Sequence, residues 1–513
     1  MRGTLRRYSS EVRGMDVVGL TPIIPLVFAF ALPLFSVVVG GNRKIIQAYA
    51  LLGTGLTLIS TFKLFQLTYS SSLPIVYTFG KWRAPIGIVY EVDRLSSLIA
   101  LVTAVLMFLI AIYSYRYLER EKGLEWYYTL YLGLESGLLG VLLTGDAFNL
   151  FVMIEVTSIA AYALVMFYRD RKDSVLAGLK YALIGAVGTT MYFLALGVFY
   201  GTFGTVNFAD LSEKLHSSGN VVLASSVALV LATWAFLIKA TIFPNHFWLP
   251  EAHPAAPSPI SAILSGLVVN VGVYAMIRFL YTLYSGLSWI IGWLSFAIII
   301  LGAISSIFGA LMMNTQRDVK RLVAYSTIMH MGYLLMAVGV GTQLGLQAAL
   351  FHLINHAIAK ALLFLAVGVF IHVAGSRNID DLAGLGRKMP ITTFSLAIAT
   401  LSLVGIPPLN VFFSKLLLFN ALLEKSFFLA LVIAVTSVIA LVAYMRVLYT
   451  LWLGKPREDL DVKESISMSM ICLILALICI AIGLIAPIVL EKLINPAVIQ
   501  AMDYETYVRA ALP

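Results

Sequence analysis

A run of apolar residues ends in a lysine and is followed closely by a proline-rich segment: residues 221–239 read VVLASSVALVLATWAFLIK, and residues 243–259 read FPNHFWLPEAHPAAPSP. The first run is nearly long enough to cross a bilayer as a helix, since a span needs about 20 apolar residues. Prolines forbid a continuous helix through the second segment. Irregular backbone at membrane depth survives only where it is buried in protein or lines a wet cavity. The stretch therefore predicts a broken membrane helix with Lys239 at the break.

A lysine at the centre of a bilayer costs about 2.5–3.5 kcal/mol on insertion scales, so it is rare unless it has a partner and a task. Burial disfavours the charged ammonium and a nearby carboxylate favours it, so a lysine held between these influences can relay a proton. Glu155, in the otherwise uncharged run 150–167, is the candidate partner. The plainer alternatives are a protonated Glu155 bonded to a neighbouring helix and a Lys239 that snorkels from a helix end.

The same arrangement recurs later in the chain. A second lysine, Lys415, follows another proline break at 405–408, which reads GIPP. Glu155 precedes Lys239 by 84 positions (239 − 155), and His330 precedes Lys415 by 85 (415 − 330). Repeated halves with broken helices and buried charges are typical of ion-transporting membrane proteins.

Composition places nearly the whole chain in the membrane. Hydrophobic residues make up 60% of the 513 and charged residues 12%, about half the charge of a soluble protein. We count about fourteen apolar stretches of spanning length. They begin near Val17, Lys44, Leu95, Tyr127, Asp146, Val175, Val221, Ser258, Ser288, Val319, Gln343, Ile391, Ser426 and Ile466. We therefore predict a single all-α polytopic membrane domain over residues 1–513.

The formal charge of +9 does not indicate nucleic-acid binding, because the basic residues lie in connecting loops. Lysine and arginine concentrate in cytoplasmic loops of membrane proteins. The basic loops follow odd-numbered spans and contain Arg116, Arg120, Lys122, Arg169, Arg171, Lys172, Arg317, Lys320, Arg321, Arg387, Lys388, Lys455 and Arg457. The loop after the second span, with Lys81 and Arg83, is the exception. This pattern predicts a multi-pass protein of the cell inner or plasma membrane with both termini outside. The arginine-rich segment 1–14 does not fit it and is interpreted as a non-native or disordered extension, with translation starting at Met1 or Met15.

Titratable residues are frequent in the sequence between His330 and Lys415. His330 can titrate near physiological pH. His352, His356 and Lys360 are spaced i, i+4, i+8 and so lie on one helix face. Two histidines at this spacing also suit a metal, but no cysteine or carboxylate lies nearby in sequence, so we favour a proton wire over a metal site.

Three further residues are weaker candidates. Glu135 lies in the fourth span and is either an access-path residue or part of a polar seam. Lys180, in the sixth span, precedes His352 by 172 positions (352 − 180), so the repeat places the two in equivalent positions. His253, in the proline-rich segment, is a candidate access or supporting residue. No Cys cluster, Rossmann glycine pattern or P-loop is present, so we expect no cofactor.

Four motifs carry a resemblance to a known family. They are TGDAFNLFVMIE at 144–155, the segment 244–257 after Lys239, HLINHAIAK at 352–360 and GIPPLNVFFSK at 405–415. The chain resembles the antiporter-like subunits of respiratory complex I, of Mrp-type cation/proton antiporters and of membrane-bound hydrogenases, over residues 20–490. The first motif is most similar to the Mrp D-type and hydrogenase H-type branch.

The resemblance implies fourteen helices with two inverted five-helix repeats, each with a broken helix, here at about 125–285 and 288–453. It implies transport of protons, in some members coupled to sodium, along buried Glu, Lys and His. By position, Glu155 and Lys239 match the first-half pair and Lys415 the terminal second-half residue. His352, His356 and Lys360 match the connecting groups.

One position departs from the pattern. Many relatives carry a bridging lysine where this chain has Asn270, in GLVVNVGVY at 266–274. Asparagine can hydrogen-bond a water but cannot exchange a proton at neutral pH. Either water, helped by His330, fills the gap, or the two half-paths are not joined.

We therefore expect a subunit that translocates protons, alone or coupled to sodium, in a membrane-bound hydrogenase or a complex I-like assembly. Its partners would be other membrane subunits, and it would have no redox centre of its own. One alternative is the D-type subunit of an Mrp-type antiporter. Another is a structural scaffold with an inactive path, which Asn270 favours and the retained Glu155, Lys239 and Lys415 oppose. A stand-alone solute transporter is disfavoured because the polar residues form an axis and not a substrate pocket.

Overall fold

The computed structural model describes residues 2–217, 222–455 and 463–512, without the side chains of residues 2–15 and 288–290. Almost all of this is helix. The helices are α1 (Arg2–Val38), α2 (Arg43–Ser70), α3 (Arg94–Tyr117), α4 (Leu124–Leu143), α5 (Ala147–Val165), α6 (Lys172–Phe203), α7 (Phe208–Ser217), α8 (Val222–Lys239), α9 (Leu249–Ala255), α10 (Ser258–Ile263), α11 (Asn270–Ile277), α12 (Ser288–Thr315), α13 (Val319–Val340), α14 (Gln343–Ala374), α15 (Pro390–Val404), α16 (Asn410–Leu423), α17 (Phe427–Leu453), α18 (Ile466–Leu484), α19 (Ala486–Val489), α20 (Asn495–Met502) and α21 (Tyr504–Ala511). The prediction of an all-α polytopic fold is confirmed.

Twelve helices within the described residues are long and apolar enough to span a membrane. One of them is a continuous helix from Ser258 to Leu283, in which π-helical turns flank α11. Of the two remaining predicted spans, one is α4 and the other is divided into α15 and α16. The first span begins at Asp16 within α1. Three residues named in the sequence argument, Met1, Val221 and Arg457, lie outside the described residues.

Both predicted breaks are present. Helix α8 ends at Lys239, and helix resumes with α9 at Leu249. Helix α15 ends at Val404, and α16 begins at Asn410. Gly405 ends α15 with φ 94°, and a Cβ there would lie 3.0 Å from Lys415 Cδ. A glycine is therefore required both for the left-handed backbone and for the close passage of the lysine.

The helices form an inner and an outer set. The Ser258–Leu283 helix is buried along almost its whole length, as is α13. Helices α12 and α13 pack closely where Gly302 meets Gly332, as small residues allow in membrane bundles. Outer helices such as α17 and α6 leave large apolar side chains exposed, as expected of surfaces facing lipid. Cys472 and Cys479 of α18 are buried and so are packing residues.

A short antiparallel hairpin identifies one end of the bundle. Strand β1 (Ile75–Thr78) pairs with β2 (Val89–Val92), with Ile75 opposite Val92. Helices α7, α20 and α21 lie at the same end, and α21 contacts both α7 and β1. We call this end the hairpin face. The opposite end carries the basic loops and is called the basic face.

Candidate functional site

Lys239 is the last residue of α8 and is buried. Its Nζ donates to Ser158 Oγ at 2.7 Å and to Tyr162 Oη at 3.4 Å. Both partners lie on α5, one and two turns after Glu155. The helix break therefore delivers the ammonium to the α5 face that also carries the predicted acid.

Glu155 and Lys239 are neighbours without direct contact. They interact electrostatically, but no ion pair within 4 Å joins them. The Glu155 Oε1 atom is buried and has no hydrogen-bond partner. Ser158 and Tyr162 hold the lysine in place of the acid, so the structure has the pair in its separated arrangement.

Lys180 has a partner that the sequence argument did not assign. Its Nζ binds Glu251 Oε2 at 2.7 Å, between α6 and α9. The pair is partly exposed, with side-chain exposures of 42% and 35%. Beside it, Tyr181 stacks on Trp248 at 3.8 Å with nearly parallel rings. These two contacts fasten the second piece of the broken helix to α6.

The second half contains a hydrogen-bonded histidine pair. His330 Nδ1 and His352 Nε2 share a hydrogen bond of 3.0 Å, and His352 Nδ1 is 2.9 Å from Ser414 Oγ. All three side chains are buried. The histidines come from α13 and α14, and Ser414 precedes Lys415 on α16. The predicted relay residues are thus brought together in three dimensions.

Lys415 lies at one end of a row of buried polar side chains that also contains His330, His352 and Ser414. Its Nζ donates to the Val404 carbonyl at 2.9 Å and to Ser437 Oγ at 2.8 Å. The ammonium also lies 5.3 Å from the centre of the Tyr333 ring. The Val404 carbonyl is available because α15 ends there. The break therefore supplies one of the ligands of its own lysine.

His356 and Lys360 continue the row along α14. The His356 ring is 5.2 Å from that of His330, and neither of its nitrogens has a hydrogen-bond partner. Lys360 Nζ donates to the Val323 carbonyl at 3.1 Å and to Ser326 Oγ. Tyr444 Oη also binds Ser326 Oγ, at 2.6 Å.

His253 and Lys320 extend the row towards the basic face. His253 is fully buried, stacks on Phe364 at 4.5 Å and interacts electrostatically with both Lys320 and Lys360. Neither of its ring nitrogens has a partner. Lys320 Nζ donates to the Ala256 carbonyl at 2.7 Å.

Sequence reasoning placed Lys320 in a basic loop, and this was wrong. The residue lies in the first turn of α13 and is buried, because the C-terminal end of α9 packs over it. It lines a cavity of about 420 Å³ together with Arg171, His372 and Arg377. In the sequence, Lys320 stands next to Arg321 and looks like another charged loop residue. Only the packing of the helices shows that Lys320 is buried.

Asn270 faces a small cavity in the middle of its helix. Its Nδ2 donates to the Gly266 carbonyl at 2.6 Å, and its Oδ1 is buried without a partner. The cavity, about 10 Å³, is lined also by Thr103, Leu142 and Leu353. This is about the space of one water molecule. No titratable side chain lines it, so the predicted bridge position holds no proton carrier of its own.

Glu135 is not brought into the row. It is fully buried on α4, and both carboxylate oxygens lack a hydrogen-bond partner. No hydrogen bond or ion pair in the described part of the chain joins it to Lys239 or to the histidines. It stays a candidate access residue only.

Sequence reasoning missed a buried ion pair near the hairpin face. Arg278 Nη1 and Nη2 donate to the two carboxylate oxygens of Asp93 at 2.6 and 2.5 Å. The side chains are 3% and 1% exposed. Arg278 lies in an apolar run, so the rule applied to Lys239 also identifies it.

The part of the chain that forms this buried row matches a known family. Residues 144–440 match the family model described as NADH:quinone oxidoreductase/Mrp antiporter, TM. The chain belongs to this family. Residues 79–128 also match the model for the N-terminus of complex I chain 5. The family resemblance predicted from the four motifs is thereby confirmed.

Relatives cover nearly the whole chain. It is 30% identical over 473 residues to antiporter subunit mnhD2 of Staphylococcus aureus strain JH9, covering 91% of this chain and 93% of that protein. A chain of the membrane-bound sulfane sulfur reductase, an archaeal respiratory membrane complex, matches with TM-score 0.91 and 32% identity, covering 97% of this chain and 100% of that one. A chain of the Mrp complex of Dietzia sp. DQ12-45-1b has TM-score 0.89 and 25% identity, with coverage of 98% and 99%. A chain of respiratory complex I from Thermus thermophilus has TM-score 0.74 and 25% identity, with coverage of 92% and 98%.

Proposed function

We propose that this chain is the proton-translocating subunit of a multisubunit membrane complex, with protons relayed along its buried Glu, Lys and His residues. The observation that carries the proposal is the row His253, Lys360, His356, His330, His352 and Lys415. These side chains are buried, close to one another and drawn from two inner helices, α13 and α14, and from the second pieces of the two broken helices, α9 and α16. Buried ionisable residues in membrane segments mark ion pathways.

The second half can pass a proton through its imidazoles. An imidazole accepts a proton on one nitrogen and donates the proton of the other. His330 and His352 share one hydrogen bond, and the far nitrogen of His352 faces Ser414. A proton taken up by His330 therefore has a defined exit through His352 and the Ser414 hydroxyl towards Lys415. His356 supplies the step from Lys360.

The first half works as a charge switch. Lys239 is held by two neutral hydroxyls while Glu155 lies nearby without contact. When the lysine swings to the carboxylate its ammonium is stabilised, and when it returns that stabilisation is lost and a proton is released. The partner subunits would drive the alternation by shifting the local field. The Lys180–Glu251 pair lies on the neighbouring surface and is placed to respond to it.

The remaining assignments are part of the same proposal. Residues 125–285 and 288–453 form the two repeats, and each includes one broken helix. The basic face is cytoplasmic and both termini are outside. The chain carries no redox centre, so the energy comes from its partners. The relatives include both an antiporter protein and chains of respiratory complexes, so the transported cation is the proton, alone or in exchange for sodium.

Two lysine variants test the proposal in the intact complex. Lys239→Ala and Lys415→Ala are compared with Lys44→Ala, an exposed lysine near the basic face. Everted vesicles report proton movement by quenching of a pH-sensitive dye, and purification of the complex reports assembly. We expect both buried variants to assemble and to lose proton movement, since a positioned proton-transfer group contributes roughly 10²–10⁴-fold. Wild-type rates in both would mean that the chain is a scaffold.

Purification of the wild-type chain from native membranes identifies its host. Iron–sulfur or nickel subunits in the preparation would assign it to a respiratory or hydrogenase complex. A set of small membrane proteins without redox centres would assign it to an Mrp-type antiporter.

A further inference from the structure

A column of polar residues leads from the Asn270 cavity to the hairpin face. On the Ser258–Leu283 helix, Asn270, Tyr274 and Arg278 are spaced i, i+4, i+8 and share one side. On the facing helix α3, Ser96 and Thr103 are spaced i, i+7 and also share one side. Two helices therefore place polar groups along the same line in an otherwise apolar bundle.

The column is linked by short contacts. Arg278 Nε donates to Tyr274 Oη at 2.9 Å, and Tyr274 Oη donates to the Leu142 carbonyl at 2.7 Å. Leu142 lines the cavity beside Asn270, as does Thr103. At the other end, Arg278 donates two hydrogen bonds to Asp93, and the Ser96 hydroxyl donates to the same carboxylate. The polar contacts thus begin at the mid-membrane cavity and end at the hairpin.

Glu91 stands at the end of this column without a partner. It is 1% exposed, and neither of its carboxylate oxygens has a hydrogen-bond partner. The hydroxyl of Tyr507, on α21, is also buried and makes no close hydrogen bond, but it lies near enough to Glu91 to act on that carboxylate as a weak hydrogen-bond donor. Glu91 and Tyr507 therefore face each other, and neither makes a closer hydrogen bond within the described residues.

The charges around Glu91 do not balance when it is ionised. The Arg278 guanidinium is already paired with Asp93, so the carboxylates of Asp93 and Glu91 share one cation. Burial raises the pKa of Glu91 well above its usual value, against the opposing effect of Arg278. Glu91 and Tyr507 offer three free oxygens, fewer than the six or more that a hard metal cation takes. One proton is therefore the cation that completes the cluster.

We propose that Glu91 is the proton-exchange group of this chain at the hairpin face, connected to the Asn270 cavity by the column and covered by α21. The carboxylate takes up one proton delivered from the side of the Asn270 cavity, forming one O–H bond, and that bond breaks when the same proton leaves to bulk water at the hairpin face. Arg278 and Asp93 keep their charges throughout, so the cluster alternates between a net charge of zero and minus one. The inference rests on the proposed proton transport and gives the first half its own opening.

The decisive variant is Glu91→Gln, because glutamine imitates a permanently protonated glutamate in size and hydrogen bonding. If Glu91 is a fixed protonated acid, this change is silent. If Glu91 exchanges its proton, the change blocks the step while assembly is kept. We expect proton movement in everted vesicles of the intact complex to fall by about tenfold or more, whereas Glu213→Gln, an exposed acid on the neighbouring helix α7, leaves it unchanged.

A second variant separates exchange from packing. Tyr507→Phe removes only the hydroxyl that faces Glu91, and we expect a partial loss of proton movement with normal assembly. Wild-type proton movement in Glu91→Gln would overturn the inference, and so would equal activity losses in Glu91→Gln and Glu213→Gln. If Glu91→Gln is active while Lys239→Ala or Lys415→Ala is inactive, this inference fails and the proposed function stands; if Lys239→Ala and Lys415→Ala are both active, the proposed function fails.

Discussion

Replacing Asp93 by asparagine should unbalance the most completely buried ion pair of the described structure. The change keeps the shape of the side chain but removes the carboxylate that receives two hydrogen bonds from Arg278. The guanidinium, 3% exposed, then has no counter-charge in contact. Removing one member of a buried pair costs about 3–5 kcal/mol. Coulomb's law with an effective dielectric constant of about 20 and charges about 4 Å apart gives a similar loss of roughly 4 kcal/mol.

The measurement is a double-mutant cycle on the purified chain. Unfolding in mixed micelles with increasing dodecyl sulfate, followed by far-ultraviolet circular dichroism, compares the wild type with Asp93→Asn, Arg278→Met and the double variant. We expect each single change to lower the free energy of unfolding by about 3–5 kcal/mol. The double change should cost less than their sum, with a coupling of about 2–3 kcal/mol. Single losses below about 1 kcal/mol, or strictly additive losses, would refute the reasoning.

The same pair predicts a dependence on acid. Burial acts to raise the pKa of Asp93, but the Arg278 guanidinium and the hydrogen bonds from Ser96 outweigh it, so the pKa lies below its usual value. A carboxyl with a depressed folded-state pKa contributes stability above its unfolded pKa and loses it as the pH falls through the folded one. The wild type should therefore lose this stability only below about pH 4, and Asp93→Asn should not show that loss.

Three further outcomes follow from single contacts. Ser414→Ala should leave His352 Nδ1 without a partner and lower proton movement by about tenfold, equivalent to one buried hydrogen bond, without affecting assembly. Gly405→Ala should lower the free energy of unfolding by about 1–2 kcal/mol because of its positive φ, whereas Gly133→Ala, in an open helical position, should raise it by about 0.5–1 kcal/mol. Since burial raises the pKa of Glu91, with Arg278 acting in the opposite sense, wild-type stability should fall as the pH rises from the ordinary glutamate pKa of about 4.3 to the raised pKa of the folded state, and Glu91→Gln should be flat over the same range.

The spans and their breaks could be predicted because the forces that make them are local. A run of apolar residues stays in lipid whatever its neighbours are, and a proline interrupts a helix in any fold. Helix α8 accordingly ends at Lys239, and α15 ends just before the two prolines at 407 and 408. The i, i+4, i+8 spacing on α14 is local in the same sense.

The partners of the charged groups could not be predicted, because they depend on how each helix is rotated against its neighbours. Spacing along the chain paired Glu155 with Lys239, but the rotation of α5 brings Ser158 and Tyr162 to the ammonium first. Spacing likewise related Lys180 to His352, whereas packing gives it Glu251, 71 residues away.

Arg278 and Lys320 show two different limits. The charge of Arg278 within an apolar run is visible in the sequence, but its partner Asp93 is 185 residues away and precedes a helix like any capping residue. Lys320 was misjudged because two adjacent basic residues look the same in the sequence whether both lie in a loop or one of them is buried. The fold separates the two side chains by burying Lys320 and leaving Arg321 exposed.

The asparagine at position 270 is consistent with an opening of the first half at the hairpin face. A lysine there would lie two helical turns, about 12 Å, from the Arg278 guanidinium on the same side of the helix. Asp93 balances the charge of that guanidinium, so Arg278 opposes a lysine at position 270 only weakly. In the route proposed above, the neutral asparagine instead leaves room for one water beside the start of the column. In that proposal, position 270 marks the start of a route that is separate from the path between the two halves.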